Sequence, residues 1–284
     1  MFISRCLYRD VYIKMFMPQL TDVQQLIFAF LASVVIGLGA RRRGWLSRSG
    51  AVGAAIVGTL VFGLGGWAWG APLIAFFVSS SLLSRVRSPH KARAAQHYDK
   101  SHERDLMQVL ANGGAGTLAA LGNFAWPSPL WYLFFMGAMA TVNADTWATE
   151  LGALSRQQPR LITTGRPVEA GTSGGISRMG TFAALLGALF IGAVAGLFDG
   201  AQIMRYIWIG GGSGLMGALS DSLLGATVQR IYFDDELGQE TENPWRRGQP
   251  LRAVHGWPWM TNDMVNLWAS LVGGMVGILL SWLP

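Results

Sequence analysis

Leu130-Trp-Tyr-Leu-Phe-Phe-Met-Gly-Ala-Met-Ala-Thr-Val-Asn-Ala-Asp-Thr-Trp-Ala-Thr-Glu-Leu151 holds no basic side chain. At about 1.5 Å per helical residue it is long enough to cross the roughly 30 Å apolar core of a bilayer. Its last turns nevertheless carry Asn143, Asp145 and Glu150. Ionised groups are costly inside a membrane span, so their first reading is functional. The chain around this run has the same character. Of 284 residues 51% are hydrophobic and 13% charged, against about a quarter charged in soluble domains. Such a balance argues against a soluble multidomain enzyme and against a disordered chain. The single Cys6 excludes an intramolecular disulfide and a cysteine zinc site.

Seven more apolar runs flank the first, giving spans at 21–39, 51–64, 71–83, 107–121, 130–151, 180–198, 207–228 and 263–283. The expected fold is all-α, a polytopic membrane helix bundle of about eight transmembrane helices, or seven if the short second and third runs, joined through 65–70, make one crossing. Lys and Arg then orient it. The loops after spans one, three, five and seven hold four, six, four and four of them; those after spans two, four and six hold none, none and one. Positive loops stay cytoplasmic, which places 18 of the 22 basic residues on that face. The net charge of +6 is therefore mostly an orientation signal. Spread over four loops rather than along one stripe, it argues for no nucleic-acid partner. Residues 1–20 lack a signal-peptide pattern and read as an N-terminal arm, mobile or interfacial, or as a start-site extension. Residues 21–284 form a single transmembrane domain with cytoplasmic loops near 84–106, 152–179 and 229–262.

With that topology the intramembrane carboxylates all fall toward one face. Asp145 and Glu150 lie late in the fifth span, Asp221 lies in the seventh within Gly217-Ala-Leu-Ser-Asp-Ser-Leu-Leu-Gly-Ala-Thr227, and Asp263 opens the eighth. Asn143, Thr146 and Glu150 share one helical stripe. Asp145 points about 140° from Glu150 on a regular helix, so both line one pocket only if the helix bends or ends there. Gly214, Gly217 and Gly225 flank Asp221 as a small-residue stripe that admits another backbone, and Asp263, Asn266 and Ser270 continue into Gly274 and Gly277. Carboxylates beside Asn and Thr, without Cys or His, are hard oxygen donors suited to Mg²⁺ shared with phosphates. A proton or cation path in a lipid or ion transporter, and structural pairing with Arg, remain the alternatives.

Two loops on the same face are suited to phosphate. Thr172, Ser173, Gly174, Gly175 and Ser177 can aim backbone N–H groups at an anion ahead of the sixth helix, with Arg166 and Arg178 beside them. There is no G-x-x-x-x-G-K-[ST], which excludes a P-loop kinase. Arg104, Gln108 and Asn112 form a polar stripe at the mouth of the fourth span. His90, His97, His102 and His255 lack metal spacing and read as solvated, as does the connector Asp234-Asp-Glu236. Trp257-Pro-Trp259 marks the interface.

Gln108-Val-Leu-Ala-Asn-Gly-Gly114, Asn143-Ala-Asp-Thr-Trp-Ala-Thr-Glu-Leu-Gly152, Gly171-Thr-Ser-Gly-Gly-Ile-Ser177, Ser220-Asp-Ser-Leu-Leu-Gly-Ala-Thr-Val-Gln229 and Asn262-Asp-Met-Val-Asn266 together resemble an integral membrane family of former unknown function. That family includes phytyl-phosphate kinase of the vitamin E pathway and transmembrane protein 19. The resemblance implies phosphoryl transfer from CTP to an isoprenoid monophosphate, turning phytyl phosphate into phytyl diphosphate. A cytidylyltransferase making a CDP-lipid is a further alternative. On this reading Asp145, Asp221 and Asp263 bind Mg²⁺, and Glu150 with Asn143 orients the acceptor phosphate or a second metal. Arg166, Arg178 and residues 172–177 hold the nucleotide. Arg104, Gln108, Asn112, Asn262 and Asn266 meet the lipid substrate.

Overall fold

A computed structural model describes residues 22–86, 88, 90–91 and 103–283; the expected N-terminal arm, His97 and His102 lie outside them. Eight long helices follow one another among the described residues: α1 (Asp22–Arg42), α2 (Arg48–Gly65), α3 (Trp67–Leu83), α4 (Leu106–Ala125), α5 (Pro129–Gly152), α6 (Arg178–Gly196), α7 (Ile203–Thr227) and α8 (Asn262–Leu280). Each coincides with one expected span, and the fold is an all-α bundle of a polytopic membrane protein. Helices α1, α2, α6 and α8 are long and apolar enough to cross a membrane by length and composition alone.

The helix starts follow from capping chemistry. The hydroxyls of Ser47, Ser128, Ser177 and Thr261 accept from the first-turn N–H groups of α2, α5, α6 and α8. Asp105 and Gln108 form a reciprocal capping box on α4. Helices α2 and α3 are separated by Gly66 alone, at φ 69°. Buried Gln25 of α1 supports this break by donating to the carbonyls of Phe62 (3.3 Å) and Gly63 (3.0 Å). The Phe62 carbonyl also accepts from the Gly66 N–H at 2.8 Å, and in an apolar surrounding a carbonyl at such a break needs a partner.

Helix α5 is the hub. Residues 134–144 are buried without interruption, as expected of a helix that is apolar all round, and α5 packs against α3, α4, α6, α7 and α8. Its approach to α7 and α8 leaves no room for side chains. A Cβ on Gly217 or Gly273 would overlap Thr141 Oγ1, and one on Gly277 would stand 2.7 Å from the Leu133 carbonyl oxygen. Outward-facing positions are apolar too. Val35 is 69% exposed, Trp208 71% and Phe182 62%, an inversion that lipid explains and water does not.

The loops between the helices add short strands that the sequence reading did not contain. A hairpin pairs β1 (Arg160–Leu161) with β2 (Gly175–Ile176). Beyond α7, β3 (Ile231–Asp234), β4 (Gln239–Thr241) and β7 (Arg252–His255) form a three-stranded antiparallel sheet in the order β4-β3-β7. A second hairpin of β5 (Trp245–Arg246) and β6 (Gln249–Pro250) sits between β4 and β7. The 229–262 loop is thus a small sheet module. Asp234, expected to be solvated, is buried and corrects that reading: it accepts from the N–H groups of Glu236 and Leu237 and pairs with Arg246 at 2.9 Å.

Overpacking a close helix contact costs about 1–3 kcal/mol. Gly217→Val is expected to lower the thermal unfolding midpoint of the detergent-purified protein by several degrees. Gly39→Ala, with nothing within 4 Å of a new Cβ, is expected to leave it unchanged or raise it.

Candidate functional site

The C-terminal turns of α3, α5 and α7 and the N-terminal turns of α4, α6 and α8 meet at one end of the bundle. There they enclose a cavity of about 450 Å³, roofed by residues 170–177 and by the sheet module. Five carboxylates line it: Asp145, Glu150, Asp221, Glu242 and Asp263. Two guanidiniums, Arg104 and Arg230, line it with them.

The helix register brings the carboxylates together. Thr141 abuts Gly217, and one turn further on in each helix stand Asp145 and Asp221. Asp221 is faced by the like charges of Asp145 and Glu242, and its Oδ2 is buried without a hydrogen-bond partner. Asp263 is 9% exposed in the first turn of α8. Glu150 shares the cavity with Asp145 because α5 ends two residues later, at Gly152. It accepts from Ser84 Oγ at 2.6 Å and forms an ion pair with Lys91, whose Nζ also donates to the carbonyls of Leu83 and Ser84.

The Gly/Ser loop is pressed onto α7. Gly174 has φ 78°, and a Cβ there would come within 2.7 Å of both Ala226 N and Ser222 O. Much of its hydrogen-bonding capacity is already used. Thr172 N–H donates to Glu169 O, Gly175 N–H to Thr172 O, the Ser173 hydroxyl to Glu242, and Ser177 Oγ caps α6. Two N–H groups of the expected nest, those of Thr172 and Gly175, are thus engaged within a folded turn that lines the cavity.

Other expected site residues divide between cavity and packing. Arg104, Gln108, Asn262 and Asn266 line the cavity, and Asn112 does not. Burial pushes the Arg104 guanidinium down from its ordinary value, while the charge of Glu150 acts the other way. Asn143 is corrected: it is fully buried, accepts from Ser79 Oγ (2.9 Å) and donates to Gly187 O (2.8 Å), cross-linking α3, α5 and α6 instead of facing substrate. Arg166 and Arg178 are corrected too, being exposed and outside the cavity lining. The structure supplies Gln229, Arg230, Tyr232 and Glu242 from the sheet module instead. The best signal for them was proximity: Arg230 directly follows the Ser220–Gln229 stretch, whereas Glu242 stands in no helical pattern.

Mg²⁺ usually takes only one or two protein carboxylates and fills its shell with water and phosphate oxygens. Among the described residues no three His, Cys, Asp or Glu side chains are grouped to hold an ion between them. Asp145, Asp221 and Asp263 therefore do not form one preassembled ligand set. The unpartnered Oδ2 of Asp221 beside Asp145 fits the looser arrangement, because a buried carboxylate facing like charges gains from a cation.

Residues 31–274 match the family described as Integral membrane protein DUF92. The chain is 32% identical to Protein PGR of Arabidopsis thaliana over 272 residues, covering 87% of this chain and 93% of that protein. An uncharacterized membrane protein of Methanocaldococcus jannaschii is 31% identical over 259 residues, 90% of this chain and 94% of its own length. Protein VTE6, chloroplastic, of Arabidopsis thaliana is 27% identical over 241 residues, 83% of this chain and 65% of that protein. No solved structure matches.

Removing the Asn143 amide leaves the buried Gly187 carbonyl without that bond, a loss of about 1–3 kcal/mol. Asn143→Ala is expected to lower the thermal unfolding midpoint in detergent. An unchanged midpoint would contradict the cross-linking role.

Proposed function

We propose, for this chain, which belongs to the integral membrane protein DUF92 family, that it is a membrane-embedded kinase transferring a phosphoryl group from CTP to an isoprenoid monophosphate. Phytyl phosphate becoming phytyl diphosphate is the reaction its motif resemblance suggests. The observation that carries this reading is the cavity at one end of the bundle, lined by carboxylates from α5, α7 and α8 together with two guanidiniums. Phosphoryl transfer asks chiefly for positioning and charge neutralisation, which such a set can supply. An oxygen of the lipid monophosphate bonds to the γ-phosphorus as the bond to the β–γ bridging oxygen breaks, and CDP leaves. The acceptor is already ionised, so no strong general base is required.

The charge balance calls for a cation. Carboxylates outnumber guanidiniums five to two in the lining, and a triphosphate would be repelled by that excess. Mg²⁺ held by Asp145 and Asp221, with Asp263 nearby, would neutralise phosphate charge when bound. Around it Gln108, Asn262 and Asn266 orient the acceptor, and the 170–177 turn excludes water from above. The cavity end is assigned to the cytoplasmic face, where the basic loops lie.

A proton or cation path would extend polar groups through the bundle. Residues 134–144 of the central helix contain no ionisable side chain, which favours the enzyme over the transporter.

Incubation of the purified protein with γ-labelled CTP, Mg²⁺ and phytyl phosphate tests the reading. Labelled lipid diphosphate and CDP are expected, with Asp145→Asn and Asp221→Asn each at least about 100-fold slower. Pyrophosphate with a CDP-lipid would identify a cytidylyltransferase. Wild-type rates in both variants would remove the metal assignment, and lipid or ion flux into liposomes without nucleotide consumption would indicate the transporter.

A further inference from the structure

The two guanidiniums of the cavity are placed differently and bonded alike. Arg104 precedes α4 and is embedded among membrane helices. Its backbone N–H donates to Trp45 O (3.1 Å) and its carbonyl accepts from Ser47 N (3.1 Å), forming a bridge to the segment before α2. Its guanidinium lies over the Phe76 ring, 5.7 Å from the centroid, and donates to Ser81 Oγ at 3.1 Å, both on α3. Arg230 lies beyond α7 at the start of the sheet module. Its N–H donates to Met260 O at 2.7 Å, its Nη1 to Gly256 O at 2.8 Å, and its guanidinium packs 5.9 Å from the centre of the Tyr232 ring.

Neither arginine forms an ion pair with a carboxylate among the described residues, although five carboxylates line the same cavity. A guanidinium offers five N–H donors, and among the described residues each of these spends one on a neutral oxygen of the protein. Removing a guanidinium from bulk water without an anion is costly. Evolutionary neutrality aside, the cheap remedy for an unneeded charge would be a bond to one of the neighbouring acids. Two part-buried cations that form no ion pair with those acids among the described residues, each fixed by its backbone and by an aromatic face, are instead placed to meet anions that come from outside the chain.

We infer that the cavity is divided into two phosphate subsites, with Arg104 taking the acceptor lipid phosphate and Arg230 taking the phosphates of the donor nucleoside triphosphate. This division rests on the kinase reading and adds the donor-binding residue to it. Its direction follows from where each ligand starts. A prenyl phosphate is held by its chain among apolar helices, so its headgroup meets the cation at the mouth of α4, beside Phe76 and Gln108. A nucleotide arrives from water and meets the sheet module, where Arg230 and Tyr232 line the cavity and Glu242 ties the 170–177 turn to Gln229 through bonds of 2.8 and 2.7 Å. Asp145 and Asp221 belong to α5 and α7, which carry the floor between the two subsites.

Equilibrium binding to the full-length protein in detergent, with Mg·CTP alone and with phytyl phosphate alone, separates the two. Loss of a charge-assisted contact is worth about tenfold or more in affinity. Arg230→Gln is expected to weaken Mg·CTP binding by that factor and leave phytyl phosphate within about twofold, with partial recovery in Arg230→Lys; Arg104→Gln is expected to do the reverse. Because Arg230 also holds Gly256, the Lys variant and the unfolding midpoint report any general loosening, which would weaken both ligands together. Unchanged Mg·CTP affinity in Arg230→Gln, or equal losses of both ligands in either variant, overturns the division while leaving the kinase reading standing. Wild-type protein that binds no Mg·CTP overturns both.

Discussion

The contact between Thr141 of α5, Gly217 of α7 and Gly273 of α8 sets the geometry on which the cavity depends. No side chain can be added at either glycine without overlapping the Thr141 hydroxyl, so the three backbones are held in one register. Asp145 follows Thr141 by four residues and Asp221 follows Gly217 by four, one helical turn of about 5.4 Å in each case. Helix α8 runs the other way, and Asn266 and Asp263 precede Gly273 toward the same end. Van der Waals fit in a medium as apolar as the side chains themselves thereby fixes the spacing of the charged groups. Small residues serve this purpose in membranes because lipid supplies no hydrophobic force between helices.

Above this floor the cavity is closed by polar bonds between loops of very different origin. Ser173 from the loop before α6 and Gln229 at the start of the 229–262 loop donate to the same oxygen of Glu242. Lys91 binds the C-terminal carbonyls of α3 and pairs with Glu150 of α5. The result is an acidic chamber with part of its charge compensated and part left uncompensated, as at the unpartnered Oδ2 of Asp221 beside Asp145. Anionic substrates and cations would be mutually dependent guests in such a chamber, since either alone meets an unfavourable charge on one wall.

How much was legible beforehand depended on the range of the interaction concerned. The eight helices could be read because burial in an apolar surrounding imposes a local requirement on each segment separately. The Gly214, Gly217 and Gly225 stripe also identified itself by period, and each member does admit a neighbour: Gly214 meets Ala140, Gly217 meets Thr141 and Gly225 meets the Gly174 turn. Asn143 illustrates the opposite case. Its position among carboxylates suggested chemistry, yet its partners Ser79 and Gly187 lie 64 and 44 residues away in the chain, and nothing local distinguishes a cross-link from a ligand. Arg166 and Arg178 stand out by adjacency to glycines, whereas Arg230 lines the cavity just past α7, held there by the carbonyls of Met260 and Gly256 from the far end of the 229–262 loop.

The sequence by itself determined a membrane bundle, its order of helices, and the convergence of Asp145, Asp221 and Asp263 toward one end, because hydropathy, capping and basic-loop asymmetry act over a few residues each. Only the tertiary structure decided which polar groups face a common space. It withdrew Asn143, Asn112, Arg166 and Arg178 from the cavity and brought in Arg230, Tyr232 and Glu242. Those choices rest on which backbones can touch and on bonds between residues dozens of positions apart, and neither leaves a periodic trace in the chain.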